Sequence, residues 1–329
     1  MTSKEIILSI QNLKGAYRGT FGIVRGTDDV TLQIKSGEIV AIAGESGCGK
    51  STLAELITGT PMPLLHYESG KVEIDGYSVY DINSATLRTE VKSKRMSYVP
   101  QASMESLNPV KRIIDFILDV VKERTGKKVS KEEVREFAGN HFKRVGLERV
   151  ILNRYPHELS GGMKQRAVIA ISTMWNPRVL IVDEPTSALD VTSQRQVIQM
   201  LYDLKQKKII ETILFISHDI PTLGQICKRC IIMYAGWVVE DGTMQEIIEN
   251  PLHPYTKGLI NAVVSFNPDG SLEKELQSIP GNPPNLKYPP PGCRFHPRCP
   301  RVMSICKEEK PPFFYPSEKS RPVRCWLYK

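Results

Sequence analysis

The plainest chemistry in the chain lies in eight consecutive residues: Gly44, Glu45, Ser46, Gly47, Cys48, Gly49, Lys50 and Ser51 spell GxxxxGK[ST], with Thr52 next. They stand directly after the apolar run Ile39 to Ala43, the strand context that a phosphate-binding loop (P-loop) requires. The glycines let the backbone wrap a phosphate chain with its N–H groups inward, and the following helix adds its positive end. Lys50 is then placed to reach β- and γ-phosphates, and the Ser51 hydroxyl to ligate Mg²⁺. Glycines at 44, 47 and 49 do not fit GxGxxG, which disfavours a dinucleotide site. Farther along, Val179-Leu-Ile-Val-Asp183-Glu184 is an apolar strand ending in two carboxylates. Asp183 is suited to hold Mg²⁺ and Glu184 to polarise an attacking water as general base; for such a pair taken alone, an ordinary solvated strand edge is the alternative. Between these segments, Leu159-Ser160-Gly161-Gly162-Met163 opens an apolar helix to about Trp175. Ser160 reads as its N-cap, and the two glycines allow backbone amides to approach an anion.

Such residues need a scaffold, and the chain supplies one in the alternation of strands and helices that marks an α/β fold. Candidate buried strands are Ile39 to Ala43, Val179 to Val182 and Ile213 to Ser217. Ser130-Lys-Glu-Glu133 is a capping box for a helix to about Val145, and Thr192 can cap a helix to about Lys208. Ile231 to Met233 and Trp237 to Glu240 read as a hairpin across Ala235-Gly236. With 329 residues and 24% charged side chains, the chain has ample length for a real core, and disorder and collagen are excluded. The longest apolar run, Ile113 to Val121, is broken by Asp115 and Asp119 and is far too short to span a bilayer. The N-terminal residues lack the apolar region of a secretory signal, so a cytosolic chain is expected, with its cysteines reduced or ligated.

The conjunction of these motifs resembles the ATP-binding-cassette (ABC) ATPases, whose signature LSGGQ is matched by Leu159 to Met163 except for Met in place of Gln. The resemblance covers residues 5 to 250 or so, and it implies a P-loop NTPase core of the RecA-like type with a helical signature subdomain over about 100–160. It assigns Gln101, in Tyr98-Val-Pro-Gln101, to the Q-loop that touches Mg²⁺ and the attacking water. It also assigns Asp190, in Ser187-Ala-Leu-Asp190, to the D-loop, and His218 to the switch that contacts the γ-phosphate. Tyr17 fits the aromatic that stacks on adenine, with Phe21 as its competitor. In that family two cassettes close head to tail on ATP, each P-loop facing the partner's Ser-Gly-Gly. One cassette per chain therefore implies a second ATPase subunit, identical or paralogous. The 116 residues between Gly44 and Ser160 leave no room for the coiled coil of chromosome-type relatives, and translation-factor relatives carry two cassettes per chain. An importer subunit is what remains, working with two membrane-spanning permease subunits on the cytoplasmic face of the cell membrane, and indirectly with a solute-binding protein. A soluble non-transport ATPase is the alternative.

The charge is uneven. Of the formal net charge of +8, +7 lies between Lys287 and Lys329, where ten basic residues face three acidic ones, so no nucleic-acid surface is expected on the body. That tail also holds Cys293, Cys299, Cys306 and Cys325, and 12 of the 23 prolines fall from Pro280 onward. Four cytosolic cysteines in a proline-braced, polar segment suggest a metal centre. Zinc is disfavoured by the lack of C-x2-C pairs and disulfides by compartment, with His296 as a further candidate ligand. The stretches Asn250 to Leu259, Ile279 to Pro284 and Pro291 to Pro300, with Ser106-Leu-Asn108-Pro109 upstream, resemble the oligopeptide/dipeptide branch of ABC import ATPases. The resemblance implies a C-terminal extension over 251–329 whose four cysteines ligate a [4Fe–4S] cluster, and a peptide cargo, with oligosaccharides or nickel as the cargo of close relatives. Arg294, Arg298, Arg301 and Arg324 would offset the cluster's negative charge or else face anionic lipid. Cys227-Lys-Arg-Cys230 and Cys48 read as structural.

Overall fold

The computed structural model describes residues 5–92, 94–262, 278–316 and 321–329. Lys319, counted among the basic residues of the tail, lies outside them. The chain divides into two compact units, each discontinuous in sequence. One comprises Met1–Ile7, Lys35–Gly37 and Ile74–Leu214; the other comprises Leu8–Ile34, Glu38–Glu73 and Phe215–Lys329. The C-terminal extension therefore belongs to the same unit as the P-loop.

In that second unit, strand Ile39–Ala43 runs parallel to Arg229–Tyr234, with Ala41 opposite Cys230 and Ile42 opposite Ile231. Their side chains are wholly buried, as the unbroken Ile/Val/Ala runs demand of a parallel pair. Arg229–Tyr234 also pairs antiparallel with Trp237–Thr243, which confirms the hairpin. Ala235 and Gly236 both have positive φ, 49° and 82°, the geometry of a two-residue turn whose twist matches its strands. The outer strand is covered by the tail: Arg324 N donates to Val239 O at 2.8 Å, Asp241 N donates to Pro322 O at 3.1 Å, and Val323 bridges both Glu240 and Phe314.

In the first unit, Met96–Val99 and Val179–Asp183 are parallel, with Val99 opposite Val182. Helices Ile113–Thr125, Lys131–Arg144, Gly161–Ser172 and Val191–Gln206 complete it. The capping box at Ser130 forms in both directions, Glu133 N donating to Ser130 Oγ at 3.2 Å and Ser130 N to Glu133 Oε2 at 3.0 Å. The expected cap at Thr192 is corrected. Asp190 caps the helix, its carboxylate accepting from Ser193 N at 2.9 Å and Ser193 Oγ at 2.7 Å, and Thr192 falls inside the first turn. Among the described residues no helix is long and apolar enough to cross a membrane.

Candidate functional site

The P-loop leaves strand Ile39–Ala43 at Gly44 and ends at Gly49, the N-cap of helix Lys50–Ile57. Two glycines are dictated by close backbone approach. A Cβ at Gly44 would lie 2.3 Å from Met233 O, and one at Gly49, where φ is 104°, would lie 2.1 Å from Gly26 O. No side chain caps the helix, which leaves its first amides to an anion. Lys50 is buried and folds back on its own loop, Nζ donating to Gly44 O at 2.8 Å and Glu45 O at 3.0 Å. These are neutral acceptors that an arriving phosphate outcompetes electrostatically. Glu45 N donates to Tyr255 Oη at 2.8 Å, and Gly236 N donates to Cys48 O at 2.8 Å. Tyr17 Oη lies 3.2 Å from Thr52 Oγ1, which ties the half-buried ring to the first turn of the helix, whereas Phe21 is 47% exposed. His218 is exposed; the preceding residue, Ser217, donates its N–H to Ile42 O at 3.1 Å, so the histidine leaves the sheet beside the strand that feeds the P-loop.

The other expected residues cluster in the first unit. Asp183 is 1% exposed at the end of its strand, and Tyr98 Oη donates to its Oδ2 at 3.4 Å. Glu184 follows with φ of 48°, a left-handed conformation that costs a non-glycine residue about 1–3 kcal/mol. Ser187 holds it there, its N and Oγ donating to Glu184 O at 3.1 and 2.8 Å. The parallel register that sets Val99 opposite Val182 brings Pro100-Gln101 and Asp183-Glu184 to the same end of the strand pair, with Gln101 exposed. Ser160 caps helix Gly161–Ser172, its Oγ accepting from Met163 N at 3.3 Å. Gly162 is obligatory, because a Cβ there would sit 2.5 Å from Ser193 Oγ. That hydroxyl donates to Asp190, so Gly162 and Asp190 share one contact. The same two hydrogen bonds from Ser193 hold the Asp190 carboxyl below its ordinary range.

The four tail cysteines lie within one another's electrostatic reach. Burial first, then the neighbouring Cys306, Cys325 and Cys299, push the Cys293 thiol up to about 12, and burial pushes Cys325 up to about 11. Cys293 N donates to Cys306 O at 2.8 Å, and a Cβ at Gly292 would lie 2.4 Å from that same oxygen. Among the described residues no three His, Cys, Asp or Glu groups are close enough to hold one metal ion. His296 commits Nδ1 to Cys293 O at 2.9 Å.

The lipid-facing alternative is corrected for three of the tail arginines. Arg294, Arg298 and Arg324 are 3, 6 and 4% exposed, which precludes contact with lipid. They pair with carboxylates hundreds of residues earlier in the chain: Arg294 with Asp28, Arg298 with Glu45 at 2.7 Å and Arg324 with Asp29 at 3.4 Å. Trp237 lies beneath Arg294 and Arg324, at 4.4 and 5.4 Å from the ring centroid. Arg301 alone of the four is exposed; burial raises the Cys299 thiol above its ordinary value, and the backbone hydrogen bond and charge of Arg301 partly oppose that rise. Cys227 and Cys230 are buried with pKa values raised by burial, to about 12 for Cys227, as structural thiols are. Arg298, Tyr234 and Tyr255, which surround Glu45, carry no local sequence signal of that placement.

The family model of the ABC transporter matches residues 27–187, and that of the oligopeptide/dipeptide transporter C-terminal region matches residues 239–306. The dipeptide transport ATP-binding protein DppD of Caldanaerobacter subterraneus subsp. tengcongensis is 41% identical over 98% of this chain and 98% of its own length. The oligopeptide transport ATP-binding protein AppD of Bacillus subtilis is 39% identical over 98% of this chain and 97% of its own. The dimeric structure of a bacterial ABC transporter cassette superposes with a TM-score of 0.62 and 29% identity, covering 72% of this chain and 98% of that one.

Proposed function

Because the chain belongs to the ABC transporter ATP-binding family, in its oligopeptide/dipeptide branch, we propose that the residues described above convert ATP hydrolysis into the closing and opening of a peptide importer. It is an ATP-hydrolysing enzyme that powers uptake of di- or oligopeptides. One observation carries the nucleotide reading: the helix Lys50–Ile57 begins at a glycine-bounded loop with no side-chain cap. Its amides and the Lys50 ammonium are therefore available to the β- and γ-phosphates. Glu45 donates its amide to Tyr255 Oη, so its part in the site is to shape the loop that carries Ser46, Gly47, Cys48, Gly49, Lys50, Ser51 and Thr52 to the phosphates.

Ser51, Asp183 and Gln101 would hold Mg²⁺, which neutralises charge on the phosphates when bound. Glu184 accepts the proton of the attacking water from its place directly after the strand, where its backbone is left-handed. His218 hydrogen-bonds the γ-phosphate, and Tyr17 stacks on adenine. A second cassette, a copy or a paralogue, presents its own signature serine and glycines to the nucleotide bound here, and this chain presents Ser160, Gly161 and Gly162 to its partner's; Asp190, through Ser193, backs this chain's Gly162. The body (1–250) supplies this machinery and the extension (251–329) completes it, the pair of cassettes working beneath two permease subunits on the cytoplasmic membrane face. A [4Fe–4S] cluster on Cys293, Cys299, Cys306 and Cys325 fastens the extension. The mutual electrostatic reach of the four thiols supports this, and a structural role is favoured because ATP hydrolysis requires no electron.

Glu184→Gln tests the chemistry. The variant should retain ATP binding and gain a stable ATP-bound dimer by size exclusion while phosphate release falls by about 10²-fold or more; full turnover would refute Glu184 as base. Anaerobically purified protein should contain iron, and a colourless, iron-free sample would refute the cluster.

A further inference from the structure

The C-terminal extension grips the P-loop at a residue that the nucleotide chemistry leaves unexplained. Glu45, second in the loop, has its carboxylate forked by Arg298: Nη1 donates to Oε2 at 2.7 Å and Nη2 to Oε1 at 3.0 Å. The remaining edge of the guanidinium is also committed, Nε donating to Pro280 O at 2.9 Å, and the side chain is 5% exposed. The main chain of Glu45 is held as firmly, its N–H donating to Tyr255 Oη at 2.8 Å. Tyr255 is wholly buried and packs against Tyr234 and Phe295, with centroids 4.5 and 5.5 Å away. Phe295 and Arg298 come from one short turn between Cys293 and Cys299. Pro283, Pro284 and Leu286 line a small pocket together with Glu45, Ser46, Gly47 and Cys48. Two independent contacts from the extension thus converge on one residue of the loop, beside the bond that Lys50 Nζ makes to the same residue's carbonyl.

A glycine-rich loop pays conformational entropy to close on phosphate, and a loop held beforehand pays less. We propose that Arg298 is a positioning residue of the nucleotide site: fixed by the docked extension, it holds Glu45 and with it the entrance of the P-loop in the phosphate-receiving shape. ATP affinity then depends on the extension being docked. This rests on the ATPase reading above and adds to it a dependence of the site on a segment that touches no nucleotide.

The experiment uses the full chain and measures binding of a fluorescent ATP analogue, steady-state ATPase kinetics and thermal melting together. Arg298→Gln should weaken nucleotide binding about tenfold, within the range usual for coupled sites, and KM should rise more than kcat falls. Arg298→Lys, which keeps the charge but not the fork, should recover part of the loss. Glu45→Gln keeps the side-chain shape if loss of the arginine unfolds the tail, and it should weaken binding several-fold. The double variant should be no worse than Arg298→Gln alone. Wild-type affinity in Arg298→Gln, with only the melting temperature lowered, would overturn the proposal and leave Arg298 as a fastener of the tail. Strictly additive losses in the double variant would overturn it as well. A wild-type chain that binds no ATP would instead overturn the ATPase reading, so the two failures are distinguishable.

Discussion

Arg321→Met should be among the most damaging single substitutions outside the nucleotide loop. Glu240 lies in the middle of strand Trp237–Thr243 with no solvent exposure, and its carboxylate accepts from Leu252 N at 2.8 Å and His253 N at 2.9 Å. Its only described cation is Arg321, itself 6% exposed. The same guanidinium donates to Asn250 O at 2.9 Å and Glu246 O at 3.3 Å, closing the end of helix Met244–Glu249. Methionine fills the space but leaves a buried carboxylate without a counter-charge, a loss of about 3–5 kcal/mol. In a unit of this size that corresponds to about 6–20 °C in melting temperature. Calorimetry or the melting of tryptophan fluorescence reads it. Adding Glu240→Gln should raise the melting temperature again, because the uncompensated charge goes while part of the hydrogen bonding stays. A single variant that melts within about 2 °C of wild type would show that the pair contributes only what an exposed ion pair does.

Gly49→Ala should abolish ATP binding while the rest of the chain still folds, since its Cβ would sit 2.1 Å from Gly26 O at a φ of 104°; filter binding that remains within twofold of wild type would contradict it. His141 is buried beside Thr173, Nε2 to Oγ1 being 3.1 Å, and burial lowers its pKa to about 4. Below pH about 6.5 the unfolded chain takes up a proton there that the native chain refuses, so stability falls as pH drops toward 4, by about 3 kcal/mol in total. His141→Gln should flatten the pH dependence of the melting temperature between 4 and 6.5 by one proton, and an unchanged slope would refute the assignment.

What the sequence discloses and what it hides follow the range of the interactions. The P-loop, the capping box at Ser130, the N-cap at Ser160 and the turn at Ala235-Gly236 are local: each is set by residues within three or four positions of one another, and each forms as expected. The cap of helix Val191–Gln206 is ambiguous in sequence, because Asp190 and Thr192 are both good capping residues and only the hydrogen bonds from Ser193 decide between them. The tail arginines mislead for a different reason. In sequence they flank cysteines, which suggests a shared electrostatic purpose, yet Asp28, Asp29 and Glu45 reach them across more than 250 residues. No periodicity or spacing encodes such pairings. The grip of Tyr255 on Glu45 is hidden likewise, since a buried tyrosine near a proline reads as packing until its hydroxyl is seen to accept an amide.

The tail's pairing along strand Trp237–Thr243 bears on how such proteins diversify. An uncovered outer strand of a sheet is a template for joining another chain, and Val323 with its neighbours occupies that template here. An appended module that merely sat on a surface could be trimmed or exchanged for another. This one forms part of the sheet's border, so deleting it would bare the edge of strand Trp237–Thr243, and a replacement module would have to cover that edge again.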